Sequence, residues 1–390
     1  MLAGMKPKQP CYPARLLFPA VLFWLASPAE SANASFKGTY NGLIYSEEQP
    51  VPERFGYFKI KISDNGHLTG NMRVGDRHAS FKGKFNSQGT AYVSILSHPD
   101  NYDCYSSYPY AYDCYNQDKK LNWTLSLQLI NESQQITGQV TFFRGYGWSS
   151  TLLGDRAGYD RSTPPAPQAA QYTFVIPGNP EDQDSPGGDG CGTVTVDGSG
   201  NVLVKGLLAD GSKITQSAVL SASGTWPLFV PLYGGQGMLV GWVHSMNLEQ
   251  ADFVGELNWV RPSHLSSGLY PAGFAKQRMV LAARYVVPTS QTNFVPNFTN
   301  GTIVFHGGNL ISSFTNSVTL GSNGRVIENG GNSLKLNLRL STGLFSGTVQ
   351  EPGTGKTLTF NGAFLQNQNA GFGFFLDNDR SGEVTISADQ

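Results

Sequence analysis

Six tyrosines, Tyr102, Tyr105, Tyr108, Tyr110, Tyr112 and Tyr115, fall within fourteen residues and surround Cys104 and Cys114. The stretch is a local duplication, Tyr102-Asp103-Cys104-Tyr105 and Tyr112-Asp113-Cys114-Tyr115. Tyrosine presents a flat apolar face and a hydroxyl, a combination that suits sugar rings and protein partners alike. These six are therefore the candidate ligand-binding residues. The plainer alternative is a loop that folds over a β unit and buries part of its rings. In an oxidising compartment Cys104 and Cys114 are expected to pair. So short a closed loop is worth about 2–3 kcal/mol through the unfolded chain. Cys191, between Gly190 and Gly192, is left over and reads as a small buried apolar residue.

Other constellations carry less. Glu351-Pro352-Gly353-Thr354-Gly355-Lys356-Thr357 imitates the end of a phosphate-binding loop, but Gln350 stands where its first Gly is needed. A strand pattern, Leu358-Thr359-Phe360, follows where a helix should aim its N-terminus at phosphate. The segment reads as a hairpin turn. Asp377-Asn378-Asp379-Arg380-Ser381-Gly382 resembles the opening of a calcium loop, with Asp377, Asp379 and Ser381 as oxygen donors. Its twelfth position is Ala388 rather than a bidentate Glu, so a polar turn explains it better and no metal is expected. The acidic run Glu181, Asp182, Asp184 and Asp189 lacks ligand spacing. The six histidines are scattered, with no His-Glu-x-x-His and no Gly-x-Ser-x-Gly elbow. No cofactor is expected.

The elements that position these residues are strands. Five phrases share the form apolar–x–Gly–x–apolar, centred on Gly70, Gly138, Gly206, Gly255 and Gly347. A strand puts the two apolar residues and the Gly on one face, whereas a helix scatters them. Gly56-Tyr57-Phe58-Lys59-Ile60-Lys61-Ile62 alternates strictly, and Asp64-Asn65-Gly66 supplies a hairpin turn. Turn signals recur every eight to twelve residues or so, and no helical period appears. The fold class is all-β, with tandem antiparallel barrel-like units favoured over sandwiches.

Residues 1–34 read as an export signal: Lys6, Lys8 and Arg15 precede an apolar run over 16–26, and Ala32-Asn33-Ala34 is a plausible cleavage site. A β unit is expected over 35–161 and a Pro-rich linker over 162–171. A second β region covers 172–390, either as one interleaved unit or as two of about 172–270 and 271–390. No later apolar run is long enough to form a membrane helix. With charged residues at 14%, a net charge of −1 and no basic run, nucleic acid is not an expected partner. Hydrophobic content of 39% is enough to build cores.

The stretch from Gly190-Cys191-Gly192 through Asp210-Gly211, Trp226-Pro227-Leu228 and Gly241-Trp242, with Phe360 to Phe364 and Gly371-Phe372-Gly373-Phe374-Phe375, resembles modules of secreted, repeat-bearing bacterial proteins. The resemblance implies export and β architecture and brings no catalytic residue. The reading that follows is an exported, non-enzymatic binding or structural β protein, secreted, periplasmic or on the cell surface. Its expected partner is a polysaccharide or an envelope protein. The alternative is a carbohydrate-active or other hydrolase with its site in a barrel mouth, which requires two carboxylates in one cleft.

Overall fold

A computed structural model describes residues 36–47, 50–97, 121–130, 134–143, 147–263, 265, 268–288, 298–321, 326–328 and 331–389. Within them the chain is all-β: three eight-stranded antiparallel sheets follow one another, each curled into a nearly closed barrel. The first comprises β1 (Gly38–Tyr45), β2 (Gly56–Ile62), β3 (His67–Val74), β4 (Arg77–Lys84), β5 (Thr90–Ser97), β6 (Leu121–Ile130), β7 (Gln135–Phe142) and β8 (Trp148–Arg156). The second comprises β9 (Ala170–Ile176), β10 (Gly190–Val196), β11 (Asn201–Leu207), β12 (Lys213–Val219), β13 (Thr225–Leu232), β14 (Gly237–Ser245), β15 (Phe253–Arg261) and β16 (Phe274–Arg284). The third comprises β17 (Asn300–Gly307), β18 (Phe314–Leu320), β19 (Val326–Glu328), β20 (Lys335–Arg339), β21 (Leu344–Gln350), β22 (Thr357–Leu365), β23 (Ala370–Asp377) and β24 (Arg380–Ala388). The second sheet thus runs on past residue 270 to Arg284. No helix among the described residues is long and apolar enough to cross a membrane.

Each barrel is a meander whose first strand pairs with its last, as β1 does with β8. The ladder breaks at mid-chain instead, between β4 and β5, β12 and β13, and β19 and β20. Every barrel therefore has one open seam. Alternation fills the interiors: Phe58, Ile60, Trp123 and Leu152 in the first, Phe174, Phe253, Leu257 and Trp259 in the second, Phe305, Phe345, Phe360 and Phe375 in the third. The second interior leaves a void of about 10 Å³, lined by apolar side chains.

The Gly phrases do lie along strands, with their apolar residues inward. They mark the third and seventh strands of the first two barrels but the fifth strand of the last, so they are not one strand repeated. At Gly347 the cause is close approach: a Cβ there would collide with the Lys335 carbonyl oxygen and the Phe360 ring.

The Pro-rich segment over 162–171 is no free spacer. Ala166 is buried in the second core, its N–H donates to Gly198 O at 3.0 Å, and Gln168 O accepts from the Tyr172 hydroxyl at 2.6 Å. Outer faces join the barrels. Leu43 and Phe55 of the first pack with Phe229, Met238 and Val240 of the second. Val175, Cys191 and Ala283 of the second pack with Ala363, Leu365 and Phe374 of the third.

Candidate functional site

A cleft of about 360 Å³ separates the outer face of β2–β4 from β12 and β13. Tyr57, Asn71, Arg73, His78 and Ser80 line it on the first-barrel side, and cross-strand register continues their face beyond the cleft in rows: Tyr57, Arg73 and His78, then Lys59, Asn71 and Ser80, then Lys61, Thr69 and Lys82. These are the outward positions of strands whose alternate residues fill the first core. Strands β2–β4 carry Lys59, Lys61, Arg73, Arg77, Lys82 and Lys84 and not one Asp or Glu. Strands β1, β5, β6 and β7 contain no charged residue at all. The cations of this barrel are thus concentrated on three adjacent strands. At a strand spacing of about 4.8 Å, Lys61 and Lys82 lie on the order of 10 Å apart.

Arg73 is the cation set into the cleft. Its Nε donates to Gly75 O at 3.2 Å, and among the described residues no carboxylate lies within ion-pair distance of it. Burial holds its guanidinium below the usual arginine value, with Asp76 in the adjoining turn opposing. Burial and then Arg73 draw the His78 imidazole below its usual value, again against Asp76. His78 is consequently neutral at pH 7 and able to accept as well as donate. The Tyr57 hydroxyl donates to Asn41 Oδ1 at 3.4 Å, and burial raises its pKa. Among the described residues no hydrogen bond joins His78 to Ser80.

The opposite wall is a barrel seam that is largely sealed. Register turns the odd residues of β13 toward the seam. Two of them are Pro227 and Pro231, which have no N–H to offer, and the N–H of Phe229 donates to Gln216 Oε1 at 2.7 Å. Gln216 Nε2 donates to Pro227 O at 3.1 Å. On β12, Val219 gives its N–H to Asn41 Oδ1 at 2.9 Å, and its carbonyl accepts from Asn41 Nδ2 at 3.1 Å. In the third barrel, buried Asn316 likewise donates to Gly331 O at 2.8 Å, and Asn332 Nδ2 donates to Asn316 Oδ1 at 3.3 Å. Carboxamides thus stand in for missing ladder bonds at both later seams.

Tyr102, Tyr105, Tyr108, Tyr110, Tyr112 and Tyr115, with Cys104 and Cys114, lie outside the described residues. Asp377, Asp379 and Ser381 each have a different partner. Asp377 is buried and paired with Lys356, Asp379 accepts from Asn309 Nδ2 at 2.7 Å, and Ser381 is buried against the Tyr270 hydroxyl at 3.0 Å. Among the described residues no group of three or more His, Cys, Asp or Glu side chains is placed to hold a metal ion. The phosphate-loop lookalike is the hairpin between β21 and β22, and its Lys356 reaches across to Asp377 and Asn378. In the acidic loop, Asp182 pairs with Lys276 at 2.7 Å and accepts from Ser185 at 2.7 Å. The Cys191 thiol is buried, which pushes its pKa up to about 12.

The basic face had a faint trace in sequence: the alternating Lys59, Lys61 and Lys82, Lys84. Their convergence depends on pairing across β2, β3 and β4. No family model matches the chain, and no curated protein matches it in sequence. Among solved structures it is similar to a point variant of transferrin binding protein B from Haemophilus parasuis Hp5, at 10% identity over 90% of this chain and 75% of that chain, with a TM-score of 0.22. Isotype 1 transferrin binding protein B from serogroup B Neisseria meningitidis matches at 10% identity over 91% and 76%, with a TM-score of 0.21. A protein of unknown function from the DUF3598 family of Nostoc punctiforme matches at 10% identity over 64% and 94%, with a TM-score of 0.16. At such scores the functional argument rests on the cleft residues themselves.

Proposed function

We propose that this chain is an exported, non-enzymatic binding protein that captures an elongated anionic ligand on the basic face of its first barrel. The observation that carries the reading is the segregation of charge: every Lys on a strand of that barrel lies on β2–β4, and those strands hold no carboxylate. A one-sign surface attracts a polyanion and steers its approach. Arg73, without a carboxylate partner among the described residues, supplies a partly buried fork for one carboxylate. Tyr57, Asn71 and Ser80 add hydrogen-bonding groups around it. No Asp or Glu lines the cleft among the described residues, so the two-carboxylate arrangement of a glycosidase finds no support there.

Titration calorimetry with polygalacturonate and with poly-L-glutamate tests this reading. Binding is expected at low salt and should weaken by more than about ten-fold between roughly 0.02 and 0.2 M salt, because exposed charges are screened. Changing the exposed Lys61, Lys82 and Lys84 to Gln together should remove most of the affinity while leaving the melting temperature within a few degrees. Failure of both polymers to bind, or equal binding by that triple variant, refutes the proposal.

A further inference from the structure

The first barrel differs from the other two at its seam. Along β4 the register fixes which backbone groups face outward. Val74 and Arg77 close a two-residue turn, and the Phe85 N–H donates to Gly66 O at 2.9 Å, so the odd residues of β4 bond to β3. The N–H and C=O groups of His78, Ser80 and Lys82 therefore point toward the seam. Asn86 N–H donates to Thr90 O at 2.9 Å, and beyond that bond no ladder joins β4 to β5. Among the described residues, no side chain from His78 to Lys84 bridges the gap in the way that Gln216 does in the second barrel. Among its described residues this edge also lacks the prolines that β13 carries.

His78 and Ser80 of this open edge line the cleft, and facing them are Thr215 and Ser217, seam-facing residues of β12. The outward side chains along the edge are His78, Ser80, Lys82 and Lys84, all exposed. Lysines on an edge strand ordinarily repel other edges. The same lysines, spaced by two residues, match the repeat of a partner strand whose alternate side chains are carboxylates.

We propose that the anionic ligand is an extended acidic segment of another protein, which docks by adding a strand to β4 along His78, Ser80 and Lys82. This rests on the reading of the basic face as the binding surface and names its partner. Main-chain hydrogen bonds would supply register, and alternating carboxylates opposite Lys82 and Lys84 would supply selectivity. Polysaccharides can meet the charges but not the ladder.

The test uses the full chain and a capped peptide of about eight residues alternating Thr and Glu, set against an oligogalacturonate of equal charge. Ser80→Pro removes one seam-facing N–H and keeps every charge, and proline is tolerated where a strand N–H faces outward. The peptide should bind wild-type protein and lose at least about ten-fold in affinity on Ser80→Pro. N-methylation of alternate peptide residues, in one parity only, should cause a similar loss, a comparison that needs no protein variant. Hydrogen exchange at His78, Ser80 and Lys82 should slow when the peptide is bound. Peptide affinity unmoved by N-methylation in either parity, or binding of the oligogalacturonate alone, overturns strand addition but leaves the basic face as a binding surface. Binding of neither probe overturns both.

Discussion

At the scale of single residues, the most constrained chemistry lies away from the cleft, at one end of the second barrel. Arg261 and Asp210 form a fully buried ion pair, with Nη1 to Oδ2 at 3.2 Å. The Tyr233 hydroxyl donates to the same Asp210 oxygen at 2.5 Å, and Trp259 Nε1 donates to the Tyr233 hydroxyl at 3.0 Å. The guanidinium also lies over the Tyr233 ring at 4.7 Å, and its Nη2 donates to Leu269 O at 2.6 Å. Burying two charges is costly, and the arrangement holds because nearly every lone pair and proton has a partner. Arg261→Ala leaves the buried Asp210 carboxylate with no cation, held only by the Tyr233 hydroxyl and the Ser212 N–H, and should cost about 3–5 kcal/mol in urea unfolding. The double variant Arg261→Met with Asp210→Asn should recover much of that loss. A milder effect is expected at Gly347. An added methyl must displace the Phe360 ring or the Lys335 backbone, so Gly347→Ala should lower stability by about 1–3 kcal/mol in the same measurement.

At the scale of elements, the loop over 177–189 helps tie the second barrel to the third, beside the Thr173 hydroxyl that donates to Phe364 O at 2.6 Å. Asp189 N–H donates to Gly373 O at 3.0 Å, and Gly188 lies so close to Phe374 and the Gly382 carbonyl that no side chain fits there. The Asp189 carboxyl is buried, accepts from Gly178 N–H at 2.8 Å, and faces Glu383 and the Cys191 thiol. Burial, with Glu383 adding to it, raises its pKa from 3.8 to about 7. Glu383 is raised too, chiefly by burial and partly offset by His306. A folded value above the unfolded one means that the fold favours the protonated carboxyl. That stabilisation is complete below about pH 4 and is lost as pH rises through about 7, by an amount on the order of 4 kcal/mol. Melting temperature should accordingly fall across this window in differential scanning calorimetry. Asp189→Asn, which keeps the acceptor for Gly178, should flatten the slope and raise stability above pH 7. An unchanged slope would show that Asp189 is ionised in the fold.

At the scale of the whole molecule, three separate cores are joined by two apolar seams and a few directed bonds. Between the first and second barrels the directed bonds include those of Asn41, whose amide completes the broken edge of β12 at Val219, and that of Gly158 N–H, which donates to Leu220 O at 2.9 Å. Asn41→Ala orphans a buried N–H and a buried C=O, each worth about 1–3 kcal/mol. Because these bonds cross between barrels, the loss should fall on their coupling. Calorimetry should show the first barrel melting in its own earlier transition, with the later transition of the other two unmoved. A single cooperative shift would mean that the apolar contact of Leu43 and Phe55 with Phe229 and Met238 suffices to hold the barrels as one unit.

What could be read from sequence alone is what depends on neighbours a few residues away. Alternation in Tyr57 to Ile62 and the Gly-centred phrases identified strands and their inward faces, since side-chain direction in a strand follows from parity. The hairpin over Glu351 to Lys356 was legible for the same reason: a strand pattern stands on both sides of it. The tertiary structure alone decided which strands close each barrel and where each seam opens, because the pairing of β1 with β8 spans more than a hundred residues and leaves no local mark. It also decided that the lysines of β2 and β4 and Arg73 of β3 share one carboxylate-free face. In sequence they are sparse single charges in a nearly neutral chain, and only lateral pairing puts them on one face and brings Lys61 within about 10 Å of Lys82. The buried amides and ion pair were hidden for a related reason. Asn41, Gln216 and Arg261 look like surface residues until another strand or barrel removes water from them.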